Sequence, residues 1–458
     1  MPAHAASLLR IDADSLADSR REISGGASLL LEFTTPSQPD GLPAGVRAAD
    51  YRVLAAGPRT EVDAILTNRA AASVERIDMP GCTLLPGLVN AHTHLDLTHI
   101  GALPFDREAG FLSFVKHVLS QRLAEPDAIA NSVARGARLC LQGGVVAVGD
   151  IAGVANGQPT LAPTDALAAS PLHGHAYIEF FAIGTSELAN SANLITIMGE
   201  AATRRYERVR VGISPHAPYT VSPGAYENAI RTARHHGAAI CTHLGENPEE
   251  RTFIADATGP FRDLLDRLQL WNDNVAQAVG KKLTPLAHMR PLLERAANMQ
   301  VPFLAAHVND CDDIGLATLK RNRVSVVYSP RSSAYFANHE HFGPHRYRAM
   351  LARGVNVCLG TDSVINLPAE NSADNGRIST WDEMRFLHAR DATQPRDLLT
   401  MATVNGARAL NLRPSAFTFT NGESLAGLIA VHGSSLAQAL RTADKLDLLA
   451  VGTTPVIN

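Results

Sequence analysis

The run LLPGLVNAHTH, residues 84–94, closes an apolar stretch with two histidines, His92 and His94. Side chains of a β-strand alternate between its faces, so residues two positions apart point the same way. If this run forms a strand, both imidazoles enter one space at its carboxyl end, at a separation that one divalent ion could bridge. A lone His-x-His pair also occurs where two histidines merely end a strand, so its meaning depends on the rest of the chain.

Seven further apolar runs that end in polar residues follow along the chain. Most are separated by Ala-, Leu- and Arg-rich segments at helical spacing, such as residues 224–237 and 345–354, the second of which closes on a glycine as helix C-termini do. Strand and helix alternating eight times predict an α/β fold, a parallel (β/α)8 TIM barrel. The seven runs are GGVVAVGD (143–150), HAYIEFFAIG (175–184), VRVGISPHA (209–217), AAICTHLGE (238–246), VPFLAAHVND (301–310), RVSVVYSP (323–330) and VNVCLGTDS (355–363).

The two ends of the chain share a sequence pattern that differs from that of residues 86–411. Short β-prone segments separated by turns fill the chain up to about residue 85, and the segments 425–433 and 445–452 are similar. We therefore expect both termini to build one small β domain, from residues 1–85 and 412–458, beside a barrel over residues 86–411. The Gly-, Pro-, Ala- and Ser-rich segment 153–170 is predicted to be a loop.

Length, charge and cysteine content restrict the class of protein. The chain has 458 residues, 45% of them hydrophobic, which is enough for a large core. Its net charge of −4 gives no electrostatic sign of a nucleic-acid or membrane partner. Five scattered cysteines without a CxxC pair favour a reducing compartment, and no secretory signal or transmembrane run is visible. We expect a cytoplasmic protein that acts on a small molecule, with a homodimer as an allowed assembly.

Three of the later runs end in further groups that can bind a metal: His243, His307 and Asp362. Burying such groups without partners is costly, and a parallel barrel gathers the carboxyl ends of its strands at one face. Three imidazoles and one carboxylate, with water in an open position, suit Zn²⁺ or Fe²⁺ as a Lewis acid that activates water. The residues alone leave open whether His307 is a ligand or a base that orients the water.

Glu246 follows His243 by three positions, so it clears the strand and can lean over such a site. A carboxylate there can transfer protons between the water and the substrate. The alternative is a solvent-exposed loop residue, and Glu249 and Glu250 are assigned to that class. His345 lies in helix or loop texture and is also predicted to be solvated.

The motif set as a whole resembles the amidohydrolase superfamily, and within it the branch of aminopurine, cytosine and S-adenosylhomocysteine deaminases and triazine hydrolases. The resemblance covers roughly residues 76–411, and it implies a barrel flanked by a composite β-sandwich built from both termini. The motifs, in chain order, are PGLVNAHTHLD (86–96), SPHAPYTVS (214–222), HLGENPEE (243–250), AAHVND (305–310), SPRSSAYF (329–336) and LGTDS (359–363).

Carried over residue by residue, the resemblance implies that His92, His94, His243 and Asp362 bind one divalent metal, zinc or iron. Members with two metals place a bridging lysine near the end of the fourth strand. The segment 214–220, SPHAPYT, has none, which favours a single metal.

The resemblance also implies catalytic roles. Glu246 matches a proton-shuttling glutamate, and His307 matches a histidine that holds the attacking water or the substrate. Asp362 would in addition accept the proton of the water. His216, in SPHAPYT, matches a histidine that contacts the substrate.

Two further residues are predicted to bind the substrate. Arg331 stands where many relatives have a small residue, and some aminodeoxyfutalosine deaminases, whose substrate carries a carboxylate, are similar here. An arginine at the barrel mouth could bind such a group through two hydrogen bonds, or it could pair with a neighbouring loop instead. Trp271 lies where relatives have a loop over the substrate and could stack on a base, although packing within a helix is the more common fate of such a residue.

The implied reaction is hydrolytic deamination of an amino-substituted heterocycle, above all a 6-aminopurine nucleoside derivative of the aminodeoxyfutalosine, S-adenosylhomocysteine or methylthioadenosine type. The same residues could instead expel chloride or an alkylamine from a triazine, or open a cyclic amide. A rival of another class is a non-catalytic barrel that binds a metal or ligand. The complete set of metal-capable and acidic residues argues against that rival.

Overall fold

The computed structural model describes residues 7–34, 39–67 and 74–457. The predicted β domain includes residues 1–6, 35–38, 68–73 and 458, which lie outside the described residues. In chain order the strands are β1 (Ser7–Ala17), β2 (Glu22–Phe33), β3 (Arg47–Ala49), β4 (Tyr51–Pro58), β5 (Val74–Pro86), β6 (Leu88–Thr93), β7 (Val145–Ala152), β8 (His173–Phe180), β9 (Val209–Pro215), β10 (Ile240–Leu244), β11 (Phe303–His307), β12 (Ser325–Tyr328), β13 (Val357–Leu359), β14 (Gly427–His432) and β15 (Leu446–Gly452).

Most of the helices surround the barrel strands or cover their ends, whereas α1 packs on β2 and β4 of the other sheet. They are α1 (Arg59–Thr67), α2 (Gly110–Gln121), α3 (Pro126–Gln142), α4 (Ala162–Ala169), α5 (Glu187–Ala202), α6 (Pro223–His236), α7 (Pro248–Asp256), α8 (Pro260–Arg267), α9 (Asp273–Ala278), α10 (Pro285–Asn298), α11 (Asp313–Arg321), α12 (Pro330–Tyr335), α13 (Asn338–Phe342), α14 (Tyr347–Ala352), α15 (Thr380–Asp391), α16 (Pro395–Thr400), α17 (Gly406–Ala409) and α18 (Leu436–Thr442).

A seven-stranded sheet draws its strands from both ends of the chain, in the order β3-β15-β14-β5-β1-β2-β4. Strand β5 is the link, because it pairs parallel with β1 and antiparallel with β14. Apolar residues from the two ends, among them Ile11, Leu31 and Leu428, share one buried cluster. Burial of this shared face stabilises the pairing of the two termini.

The second sheet contains eight parallel strands, in the order β13-β12-β11-β10-β9-β8-β7-β6. The seam between its end strands is bridged where the amide of Asp362, just beyond β13, donates to the carbonyl of His92 in β6 at 3.0 Å. Every residue of β6, β7 and β8 is buried, as expected for parallel strands covered on both faces. The predicted (β/α)8 barrel is confirmed, and each of the eight apolar runs overlaps one of its strands.

The two ends of α6 follow the signals in the sequence. Ser222 caps α6 by accepting the amide of Ala225, and the helix ends at Gly237, whose φ of 64° lies in the left-handed region.

The prediction that the whole of segment 153–170 is a loop is wrong, because α4 occupies its second half and buries Leu167. Among the described residues, no helix has both the length and the apolar character needed to cross a membrane.

Candidate active site

Five metal-capable side chains meet at the carboxyl end of the barrel, and all are buried. Nε2 of His243 lies 3.3 Å from Nε2 of His94. Oδ1 of Asp362 lies 3.6 Å from Nε2 of His92 and 3.5 Å from Nε2 of His94. Two groups of three side chains have their potential metal-binding atoms within 4.8 Å of one another. One group is His92, His94 and His243, and the other is His92, His307 and Asp362.

The hydrogen bonding of these residues fits a metal ion. Both ring nitrogens of His92, Nδ1 of His94 and Nε2 of His307 are buried without a hydrogen-bond partner in the described part of the chain. Burial lowers the pKa of His94, and lowers that of His243 to about 4, so both rings are neutral. Burial alone would raise the pKa of Asp362, but the adjacent imidazoles, His92 first, outweigh it and lower the pKa. Neutral imidazoles and an ionised carboxylate are the protonation states that bind divalent metals.

The backbone that carries two of these side chains is held in an unusual conformation. Asp362 has a φ of 60° and His307 a φ of 71°, both in the left-handed region that residues other than glycine adopt rarely. The hydroxyl of Ser332 donates to Oδ2 of Asp362 at 2.7 Å and so fixes its carboxylate. Gly360 is required nearby, because a Cβ there would lie 2.9 Å from the carbonyl oxygen of His92. Such strain at an end of the strands is typical of a functional site.

His216 is connected to this cluster through its backbone. Its carbonyl oxygen lies 2.9 Å from Nδ1 of His243, a contact that directs Nε2 of His243 towards the other imidazoles. Nδ1 of His216 in turn contacts the hydroxyl of Thr220 at 2.8 Å. The ring of His216 also lines the neighbouring cavity.

Glu246 is buried beside His307, with Oε1 3.5 Å from Nε2 of that residue. Burial raises its pKa well above the ordinary value, and the nearby charges of Asp362 and Glu250 raise it further. The turn before it is anchored by Glu250, whose two carboxylate oxygens accept the amides of Gly245 at 3.0 Å and Glu246 at 2.8 Å.

The assignment of Glu250 to solvent is therefore wrong: the side chain is fully buried because it satisfies two turn amides. Glu249 is half-buried and accepts the amide of Phe111 at 3.2 Å. The sequence contains a signal for the structural role of Glu250. Asn247 is followed three positions later by this acid, and this spacing is the pattern of a helix capping box. Asn247 does cap α7 by accepting the amide of Glu250.

His345 also differs from its prediction. It is half-buried, stacks on Tyr328 with ring centroids 3.8 Å apart, and places Nε2 2.9 Å from the carbonyl oxygen of His307. The prediction that it is solvated is wrong, because the local pattern of residues gives no sign of this distant contact.

A cavity of about 490 Å³ opens above the cluster. Helices α2 and α8 supply much of its wall, so the lining is mainly apolar and aromatic. This size and lining are typical of a pocket for a small organic ligand. Polar residues at its base are His94, His216, His243, Glu246 and Asp362, and aromatic residues in its wall are Phe111, Phe114, Phe181, Tyr219, Phe261 and Phe336.

Arg331 and Trp271 are not among the described residues that line this cavity, in contrast to the positions expected from the sequence. The guanidinium of Arg331 is buried against Glu383, with Nε donating to Oε1 at 2.5 Å. Trp271 packs beneath the guanidinium of Arg262, which lies 3.6 Å from the ring centroid. For each residue the structure thus favours the packing alternative over contact with the substrate.

Together, the barrel and its imidazole and carboxylate cluster define a metal-dependent hydrolase. Residues 83–423 match the amidohydrolase family, and the chain belongs to that family. It is 28% identical over 366 residues to the 5-methylthioadenosine/S-adenosylhomocysteine deaminase of Dictyoglomus thermophilum, covering 75% of this chain and 73% of the relative. It is also 28% identical over 384 residues to the aminodeoxyfutalosine deaminase of Deinococcus radiodurans, covering 81% and 82%.

Two solved structures of the same fold contain a bound small molecule or metal. Helicobacter pylori aminofutalosine deaminase in complex with methylthio-coformycin has a TM-score of 0.69 and 18% identity, with coverage of 96% of this chain and 98% of that one. Atrazine chlorohydrolase from Arthrobacter aurescens, complexed with zinc, has a TM-score of 0.66 and 20% identity, with coverage of 98% and 97%. At these identities the likeness concerns the fold.

Proposed function

We propose that the protein is a hydrolytic deaminase of 6-aminopurine nucleosides that releases ammonia. The observation that carries the proposal is the position of Glu246, buried 3.5 Å from His307 beside the imidazole and carboxylate cluster at the base of an aromatic-lined cavity. Two relatives at 28% identity are named as deaminases of adenosine derivatives, which supports this choice of substrate class.

We propose His92, His94, His243 and Asp362 as the ligands of one divalent metal, and zinc as that metal. When bound, zinc supplies a Lewis acid that lowers the pKa of water. The neutral rings and the ionised carboxylate described above suit this role. Ser332 holds Asp362 in place through the hydrogen bond to Oδ2.

Glu246 supplies the proton for the purine ring in this scheme. Because burial raises its pKa, it carries a proton that it can donate to the purine ring nitrogen beside the carbon that bears the amine. His307 orients the attacking water, and Asp362 accepts the proton that the water loses. The water oxygen bonds to the carbon, the proton held by Asp362 passes to the amine, and the carbon–nitrogen bond breaks to release ammonia. The proton from Glu246 stays on the ring nitrogen, and the second proton of the water returns to Glu246 as the carbonyl forms.

The cavity and His216 position the purine ring of the substrate. The aromatic wall offers apolar faces to a flat heterocycle, which excludes water from the reacting carbon. Nδ1 of His216 is engaged by Thr220, which leaves Nε2 to contact the substrate.

The test is ammonia release by the zinc-loaded protein from adenosine, 5′-deoxyadenosine, methylthioadenosine and S-adenosylhomocysteine. We expect turnover of at least one of these nucleosides and conversion of its base to hypoxanthine. Atrazine is the comparison substrate, because release of chloride from it, without ammonia from any aminopurine, would overturn the proposal in favour of a triazine hydrolase.

A further inference from the structure

Arg122 lines the same cavity, immediately after the end of α2. Each of its terminal nitrogens donates one hydrogen bond, and Nε is buried without a partner among the described residues. Nη1 donates to Oδ2 of Asp96 at 3.1 Å, and Nη2 donates to Oε2 of Glu179 at 2.8 Å. All three side chains are buried, with Arg122 11% exposed and Glu179 fully enclosed. We call these three residues the Arg122 cluster.

The Arg122 cluster has an excess of negative charge. Of the described residues that line the cavity, Arg122 alone has an arginine or lysine side chain, and two carboxylates face its one guanidinium. A carboxylate on a ligand would meet a guanidinium that already donates to two carboxylates, and it would be repelled by Asp96 and Glu179. Charges interact strongly in a buried site because little water screens them.

The cluster is built into the fold. A Cβ at Gly153 would lie 2.0 Å from Nη1 of Arg122 and 2.2 Å from Oδ2 of Asp96, so a side chain there would displace both groups from their observed positions. Glu179 is on the buried strand β8, whose rigid backbone fixes the second carboxylate. The pairing of Arg122 is therefore set by packing from two directions.

We propose that the Arg122 cluster determines substrate charge: by occupying Arg122, Asp96 and Glu179 make the cavity accept neutral aminopurine nucleosides and reject those that carry a carboxylate. This inference rests on the proposed function and names its substrate class. It differs from the expectation for Arg331, which is paired with Glu383 outside the cavity wall. Glu179, which lines the cavity, and Asp96, which is paired with Arg122, act on the substrate through their negative charge.

The first test is Glu179→Gln, which removes one negative charge and keeps the shape of the side chain. The measured quantity is the ratio of kcat/KM for adenosine 5′-carboxylate to kcat/KM for 5′-deoxyadenosine. We expect this ratio to rise roughly 10- to 100-fold, the range for a charge-assisted hydrogen bond to the released guanidinium. Asp96→Asn is a second variant, and it should shift the ratio in the same direction.

Two further variants separate this role from general damage. Adding Arg122→Gln to Glu179→Gln should cancel the gain, because the released guanidinium is then gone. Glu383→Gln is the matched control: it releases Arg331, an equally buried arginine that is not in the cavity wall, and should leave the ratio unchanged. An unchanged ratio in both Glu179→Gln and Asp96→Asn, or equal losses on the two nucleosides, would overturn the proposal.

Calorimetric binding of the same two nucleosides keeps this test independent of turnover. Wild type should bind 5′-deoxyadenosine more tightly than adenosine 5′-carboxylate, and Glu179→Gln should narrow that difference. If wild type released no ammonia from any aminopurine, the proposed function would fail. The binding preference would still support or overturn the role of the Arg122 cluster.

Discussion

The carboxylate of Glu250 accepts the backbone amide of Glu246 at 2.8 Å, and its other oxygen accepts the amide of Gly245 at 3.0 Å. A fully buried acid thus holds the turn from which the proposed proton donor extends. Glu250 is not among the described residues that line the cavity. It therefore affects the proposed reaction only by holding Glu246 in position.

Replacing Glu250 by Ala should lower kcat by about 10- to 100-fold while KM changes little, because Glu246 loses its fixed backbone but the cavity wall is intact. Glu250→Gln retains one acceptor oxygen and should recover part of the loss. Steady-state kinetics and metal analysis check this. Normal kcat in Glu250→Ala, at full metal content, would show that the turn does not need this support.

The same residue predicts a pH dependence of stability. Burial raises the pKa of Glu250 from its ordinary 4.5 to about 8. Between these values the folded chain holds a proton that the unfolded chain has released, so the contribution of Glu250 to the free energy of unfolding falls as the pH rises from about 4.5 to 8. Denaturant unfolding across this range should show a shallower fall for Glu250→Gln than for the wild type. Equal slopes for the two proteins would contradict the prediction.

Glu246→Gln should retain the metal and lose turnover by on the order of 10²–10⁴, because the amide keeps the shape of the side chain but cannot donate and recover the proton. Glu249→Gln is the matched control, since this neighbouring acid contacts the amide of Phe111 and does not line the main cavity. Rates close to wild type in Glu246→Gln would remove the proton-transfer role.

Protein purified without added metal should contain one divalent ion per chain, and Asp362→Ala should lose most of it because a ligand is removed. Ser332→Ala removes only the hydrogen bond to Oδ2 of Asp362, and it should weaken metal affinity or activity by about 10- to 100-fold. Elemental analysis and competition with a chelator provide the measurements. A stoichiometry near two ions per chain would argue for a binuclear site.

The barrel could be predicted from the sequence because its strands are continuous apolar runs, and because each metal-capable residue lies at or just beyond the carboxyl end of one of them. Parallel strands bring their carboxyl ends to one face, so the local pattern determines which residues meet. His243 and Asp362, more than a hundred positions apart, are placed at one site by this rule alone.

Partners that depend on packing between distant elements could not be predicted in the same way. The partner of Arg331 is Glu383 on α15, and nothing in the segment 329–336 specifies it. Arg122 likewise pairs with Glu179, which lies 57 positions further along the chain. A charged side chain is usually solvated, so single-residue reasoning assigns such groups to the surface until the structure shows what encloses them.

The seam of the barrel has a consequence for biosynthesis. Thr93 and Asp362 bridge the first and last barrel strands across 269 positions of sequence, and the proposed metal ligands stand on both sides of this seam. A nascent chain on the ribosome carries His92 and His94 long before Asp362 is made, so the complete ligand set arises only after most of the polypeptide has emerged. Contacts of such long sequence separation form late in folding. We therefore expect uptake of the proposed metal to be a late event in the maturation of the protein, because a translation product that stops before β13 carries histidines without Asp362.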